Sequence, residues 1–431
     1  IGKRIGFNTQ WGLSDKPLSL LKAHIAQWCD GIPELPKNSA FIVDLPAITD
    51  MNWEKLAGLL VSSHSREGGM NIGLPDMLQV NIPSIYLAGQ QWNAVNFSYD
   101  LQRPEQLVSI NSENLKGSLQ IFASQPWQVA IDYLYYNPST SSSAQINDLA
   151  TTQFDFSQWP QLQFHCKECW VAGQKLGEIS ANIQPKGTLL QLTDGTLDNS
   201  VTKLTLDAIW NSENGNKTQI AGSLTGEAFD ETAAYFGILV PIIQSPYTIE
   251  FDLDWANLPW SPDIASLNGK MSAKLGKGAI AQMGGGRAGQ ILRLVSFDAL
   301  LRKLRFDFSD TFSDDFDFDS IKGDATIKNG VLVSKNTNVD GLVADIAFNG
   351  QIDLVKRQIN VEAVITPEIS ATVGVATAFV VNPFAGAAVF AATKVLGPLW
   401  SKVSVIRYRV TGSLDEPKID EVLRQLKETQ E

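Results

Sequence analysis

Apolar and polar residues alternate with period two along most of this chain. Ile249, Phe251, Leu253 and Trp255 alternate with Glu250, Asp252 and Asp254. Val80-Asn81-Ile82 leads to Ile85-Tyr86-Leu87, and Trp92 leads to Val95, Phe97 and Tyr99. Leu189 to Leu192 and Leu204 to Ile209 follow the same rule, with polar turns such as Asn211-Ser212-Glu213-Asn214-Gly215-Asn216 between runs. This period puts one apolar and one wet face on each strand. Strands spaced so regularly predict an antiparallel meander.

A short motif recurs 84 residues apart. Leu87-Ala88-Gly89-Gln90-Gln91-Trp92 before Val95 and Phe97 matches Val171-Ala172-Gly173-Gln174-Lys175-Leu176 before Ile179 and Ala181. Asn114-Leu115-Lys116-Gly117 likewise resembles Asn338-Val339-Asp340-Gly341. Such copies mark a quasi-repetitive sheet.

Helical spacing is confined to a few segments. It predicts helices at 18–28 and 53–62, a helical turn at Thr232–Phe236, a helix at 287–304 and a last one at 419–428. Gly284-Gly285-Gly286 marks a boundary between a region of residues 1–286 and a C-terminal module of 287–431. Within that module, Ile369 to Thr393 runs for 25 residues without a charge. Asn382-Pro383 splits the run, because proline removes a donor and disfavours a helical residue before it. Each half gives about 18 Å of helix, too short to span a bilayer alone. The segment 369–399 is expected to form an apolar helical hairpin, either buried as core or in contact with lipid.

The chain has 34 basic and 46 acidic residues, a net charge of −12. This balance argues against nucleic acid and against simple docking on anionic lipid. Residue 1 is Ile, and no signal peptide or N-terminal anchor is visible, which points to a fragment. Besides Cys29, the cysteines form one CxxC, Cys166-Lys167-Glu168-Cys169, without the second ligand pair of a zinc site. Structural thiols are the leading expectation there, ahead of a local disulfide and a metal.

No nucleophile elbow, phosphate-binding loop, HExxH or dinucleotide fingerprint is present, so neither catalytic residues nor a cofactor are expected. Gly284-Gly285-Gly286-Arg287 reads as a connector. Asp307, Asp310, Asp314, Asp315, Asp317 and Asp319 interleave with Phe306, Phe308, Phe312, Phe316 and Phe318. That is the signature of a strand with one wet face, and the spacing is not that of an EF-hand. The eleven tryptophans are scattered, which favours packing roles, except that Trp400 closes the apolar hairpin and suits a membrane interface.

The C-terminal third resembles the AsmA-like family of Gram-negative envelope proteins, in particular its long YhdP-type members. The likeness is carried in order by Leu267-Asn268-Gly269-Lys270-Met271, Lys277-Gly278 and the Leu292–Leu304 stretch. Phe306-Asp307-Phe308-Ser309-Asp310-Thr311-Phe312 and Phe316-Asp317-Phe318-Asp319-Ser320-Ile321 follow. The Asn382-Pro383 segment and Tyr408-Arg409-Val410-Thr411-Gly412-Ser413-Leu414 with Pro417 complete it. Leu45-Pro46, Trp53 and the Ala88-Gly89-Gln90 repeat resemble the family's middle region more weakly.

The resemblance implies an elongated, curled sheet forming an open groove of the repeating β-groove type. It implies a periplasmic body anchored in the inner membrane, with its C-terminal end toward the outer membrane. It also implies non-enzymatic movement of phospholipid between the membranes in support of the outer-membrane barrier, with acyl chains as the bound partner. The outer-membrane inner leaflet, or a protein associated with it, is the second expected partner. Placed in that setting, the hairpin is expected to meet lipid through Val373, Phe379, Phe384, Val389, Phe390 and Trp400. The rival expectation is a docking module whose sheet carries nothing.

Overall fold

The computed structural model describes residues 5–12, 19–27, 31–49, 75–100, 106–138, 154–213, 215–235, 237–238, 240–281, 316–367 and 405–425. Those residues form a mainly β protein, with 23 strands in one sheet. The chain divides into a first unit, Ile1–Asn199 with Asn211–Asn214, and a second unit holding the rest.

The first unit contains β1 (Ile5–Gly12), β2 (Ser19–Gln27), β3 (Ala40–Asp44), β4 (Met77–Leu87), β5 (Gln90–Asp100) and β6 (Gln106–Asn111). It continues with β7 (Leu115–Ile121), β8 (Trp127–Tyr136), β9 (Leu162–Val171), β10 (Gln174–Lys186) and β11 (Leu189–Asp198). Strands β4 to β8 form an antiparallel meander. The pairs β2–β3, β3–β4 and β8–β9 are parallel, local exceptions to the antiparallel pairing that the alternation predicts. A parallel pair needs a long crossover, and the last stretch of the β8–β9 crossover is anchored by Phe156, whose N–H donates to the Gly187 carbonyl at 2.7 Å.

The second unit contains β12 (Thr202–Asn211), β13 (Lys217–Gly226), helix α1 (Phe229–Tyr235), β14 (Ile242–Ile243), β15 (Tyr247–Ala256), β16 (Asn268–Leu275) and β17 (Gly278–Ile280). Then come β18 (Phe316–Lys328), β19 (Val331–Gly341), β20 (Ala344–Asp353), β21 (Gln358–Pro367), β22 (Val405–Ser413) and β23 (Pro417–Gln425). From β13 the pairing runs antiparallel through β15, β16, β18, β19, β20, β21, β22 and β23. Its main core joins Ile280, Phe316, Phe318, Val339, Ile346, Ile365, Ile406 and Tyr408.

Two predicted helices are strands. Residues 19–27 form β2, held by β1 on one side and β3 on the other. The helix-favouring Leu, Lys and Ala there also fit alternation, and pairing on both edges outweighs propensity. Residues 417–425 form β23 against β22, which turns Ile419 toward the core and leaves Val422 exposed. The helical turn expected at Thr232–Phe236 is present as α1. The segments 53–62, 287–304 and 369–399, and the boundary expected at Gly284–Gly286, lie outside the described residues.

The repeated motif has one structural meaning. Ala88 and Gly89 (φ 54° and 77°) join β4 to β5, and Ala172 and Gly173 (φ 50° and 79°) join β9 to β10. Paired positive φ values make a tight hairpin turn whose twist matches the strands it connects.

Candidate functional site

Register assembles the apolar residues of successive strands on one face. In the second unit Ile249, Phe251 and Leu253 of β15 stand opposite Leu224, Gly222 and Ile220 of β13. They stand equally opposite Ala273, Met271 and Gly269 of β16. Met271, Ala273 and Leu275 meet Ala325, Gly323 and Ile321 of β18. Ile346, Phe348, Gly350 and Ile352 of β20 meet Ile365, Ala363, Val361 and Ile359 of β21. Those meet Ile406, Tyr408, Val410 and Gly412 of β22. No Asp, Glu, Lys or Arg occupies these paired positions from β13 to β22.

Bulges keep this face apolar. A register shift between Phe318 and Ser320 on β18 keeps Phe316 and Phe318 on the same side as Ile321 and Ile327. Strict alternation would have sent them to opposite faces. A second bulge lies on β19 between Ser334 and Asn338, where β19 carries one residue more than β18 on one side and β20 on the other. It sits at mid-strand, where a bulge bends its strand.

Burial along the face is graded. Near the strand ends Tyr247, Leu275, Val339 and Ile346, and at the opposite ends Trp255 and Ile327, are buried. Phe251, Met271, Ala273, Gly323, Ala325, Ser334, Thr337, Phe348 and Gly350, midway along, are only half-buried. The hydroxyls of Ser334 and Thr337 lie 2.8 Å apart and satisfy each other. The result is an apolar floor between two buried margins.

The first unit repeats the pattern. Leu119, Val129 and Phe164 stand in line across β7, β8 and β9, with Ile131 beside Cys166 and Leu134 beside Cys169. Between Cys166 and Cys169, β9 uses three steps while β10, from Ile179 to Gly177, uses two. The extra residue places both thiols on the apolar face, and they form a disulfide with Cα atoms 6.1 Å apart. The expectation of unlinked structural thiols is therefore corrected. Spacing alone would have put residues three apart on opposite faces, and only the bulge unites them.

The opposite face is charged and internally paired. Lys217 meets Asp254 at 3.3 Å, Lys270 meets Asp252 at 3.6 Å and Arg407 meets Glu362 at 3.2 Å. In the first unit Lys167 and Asp132 pair at 2.6 Å, holding the Asp132 carboxyl below its ordinary range and the Lys167 amine above its own. Burial, and then the charge of Asp340 on β19, raises Asp345 on β20. Asp317 and Asp319 lie exposed on β18 while Phe316 and Phe318 are buried, as their alternation predicted. Among the described residues, no group of three or more His, Cys, Asp or Glu is arranged to hold a metal ion. Nor is any helix there long and apolar enough to cross a membrane.

The sequence-predicted contact residues Val373, Phe379, Phe384, Val389, Phe390 and Trp400 lie outside the described residues. The face built by Phe251, Met271, Ala325 and Phe348 was legible as alternation. Its residues could not be singled out without register, because a one-residue slip exchanges the faces.

A family model described as "YhdP protein" matches residues 1–419. The chain is 44% identical over 425 residues to "Intermembrane phospholipid transporter YhdP" of Escherichia coli (strain K12), covering 97% of this chain and 33% of that protein. It thus spans about a third of the length of that curated relative. No solved structure matches. With a family match over nearly its whole length and a mainly β sheet of the expected kind, the chain belongs to the YhdP family.

Proposed function

We propose that this chain is a section of a non-enzymatic conduit that moves phospholipid between the two membranes of a Gram-negative envelope. The observation that carries this reading is the apolar face, uncharged from β13 to β22 and half-buried along its middle from β13 to β20, backed by a charged outer face. An acyl chain gains about 0.8 kcal/mol per methylene removed from water, so a few methylenes on this floor suffice for retention. The head group stays at the margin in water, because the floor offers it no charged partner. The name of the E. coli relative supports phospholipid as cargo. Movement along such a floor requires neither an active site nor a cofactor.

The same reading places the chain in the periplasm, as part of a protein anchored in the inner membrane, with residues 287–431 toward the outer membrane. There the apolar segment 369–399 meets the outer-membrane inner leaflet or a protein on it, through Val373, Phe379, Phe384, Val389, Phe390 and Trp400. The test is lipid extraction and native mass spectrometry of the purified full-length protein. Co-purifying phospholipid that is lost on Phe251→Asp and retained in Lys270→Gln supports the conduit. A lipid-free protein, or equal lipid in both variants, refutes it in favour of a docking module.

A further inference from the structure

The floor is not equally open along its whole length. From β15 to β20 its mid-strand positions are half-buried; on β21 Val361, across from Gly350, is still half-buried while Ala363 is fully buried, and on β22 both Tyr408 and Val410 are buried. Ala363 stands directly across from Phe348 on one side and from Tyr408 on the other. Tyr408 belongs to the main core together with Ile346, Ile365 and Ile406, all of them 0% exposed. The open row therefore runs across β13, β15, β16, β18, β19 and β20, narrows to Val361 on β21 and stops at a wall formed by Ala363, Tyr408 and Val410.

The row is also built from small residues. Gly222, Ala273, Gly323, Ala325, Ser334 and Gly350 line it together with Phe251, Met271 and Phe348. At Gly323 a Cβ would come within 2.5 Å of the Thr337 hydroxyl, so only glycine lets β19 approach there. Five inter-strand gaps at about 4.8 Å give a row about 24 Å long. One leaflet of a bilayer's hydrocarbon core is about 15 Å thick, which sets the reach of one acyl chain. The row is long enough for one chain lying across the strands, and it holds no charge to bind anything else.

We infer that this row is a single acyl-chain track with a closed end: Ala273 and Ala325 set its clearance, and Ala363 with Tyr408 and Val410 stop it. The inference deepens the conduit reading and rests on it. A lipid moving past β20 must leave the floor before the Tyr408 wall rather than slide beneath it.

The test places the photoreactive analogue p-benzoylphenylalanine singly at Phe251, Phe348, Tyr247 and Tyr408 in the full-length protein, in cells whose phospholipids carry radioactive phosphate. Aromatic replaces aromatic at each site. The expected result is labelled adduct at Phe251 and Phe348, and at least tenfold less at Tyr247 and Tyr408. Ala325→Trp should abolish the adduct at one of the two track sites, and Ala273→Leu should repeat the block with a smaller side chain. Ala221→Trp on the exposed polar face should leave both adducts intact. Adduct at Tyr408 equal to that at Phe348, or no change with either block, overturns the closed track and leaves the conduit standing. No adduct at any of the four positions overturns the conduit reading itself.

Discussion

Both nitrogens of the His24 ring face acceptors. Nδ1 lies 2.7 Å from the Glu34 carbonyl oxygen and Nε2 lies 2.7 Å from Asp44 Oδ2. Only the imidazolium donates at both positions. The other Asp44 oxygen accepts from Asn81 at 2.7 Å, and Asn81 in turn accepts from Gln79 and Asn96. Asn8 donates to the Pro33 carbonyl and Lys22 to that of Lys37, so His24 is the middle of three side chains pinning the loop between β2 and β3. Burial opposes the charge, but the Glu34 carbonyl and Asp44 outweigh it, and His24 is held above its ordinary value of 6.5. A raised folded-state value means the contribution is fully present below about pH 6.5 and is lost as pH rises through the folded value. His24→Gln should remove that pH dependence, lowering stability at pH 5.5 by less than about 1 kcal/mol, as suits a partly solvated pair, and leaving pH 9 nearly unchanged. Urea midpoints of the two proteins across pH read this directly. A second residue-scale test is Gly350→Ala, where φ is +147° and an added Cβ would lie 2.3 Å from the Asn360 carbonyl oxygen. It should cost about 1–3 kcal/mol by the same measurement. Gly187→Ala, at a φ of +60° with nothing within 4 Å, should cost about 1 kcal/mol. The sequence announces Phe316 and Phe318 as inward-facing, yet cannot announce the partners of His24, which arrive through register from β3 and from the loop before it.

Among elements, the strands were legible wherever alternation was unbroken, as in β15, where every second residue is apolar. β2 and β23 misled because short stretches of Leu, Lys, Val and Glu satisfy both a helical stripe and alternation. Their neighbours in the sheet decide, and a local pattern carries no knowledge of neighbours. Bulges are the other blind spot, since they change face without a sequence signature. β9 shows the consequence: its bulge brings Cys166 and Cys169 together, with 0% and 2% exposure. Closing so short a loop constrains the unfolded chain only modestly, by about 2 kcal/mol on the chain-entropy estimate. Replacing both cysteines by Ala should therefore lower stability by about that amount, with the protein still folded. Reduction without substitution should be slow, because buried sulfurs are shielded from reductant. Hydrogen exchange of the β8–β9–β10 amides, compared between wild type and the double variant, checks both: protection should fall in those strands and hold in β4 and β5.

On the scale of the whole molecule, each unit carries its own apolar face, and a conduit differs from a binding pocket in what a single block does. A pocket in one unit is indifferent to a charge introduced in the other. A conduit needs every section of its floor. Val129 of the first unit and Phe251 of the second are both half-buried on their apolar faces. A carboxylate at either place must be solvated by water drawn onto the floor, and an unpaired charge against hydrocarbon costs far more than one methylene gains. Val129→Asp and Phe251→Asp should therefore each abolish transfer, and the double variant should be no worse than either alone. Gln128→Asp and Gln219→Asp, exposed on the wet faces of β8 and β13, should transfer as wild type does, which separates added charge from blocked floor. The measurement is phospholipid delivered to the outer membrane in cells where the full-length variant is the sole copy, with folding checked by protease resistance. If Val129→Asp leaves transfer intact while Phe251→Asp stops it, lipid engages the second unit alone, and the first unit is a scaffold despite its apolar face.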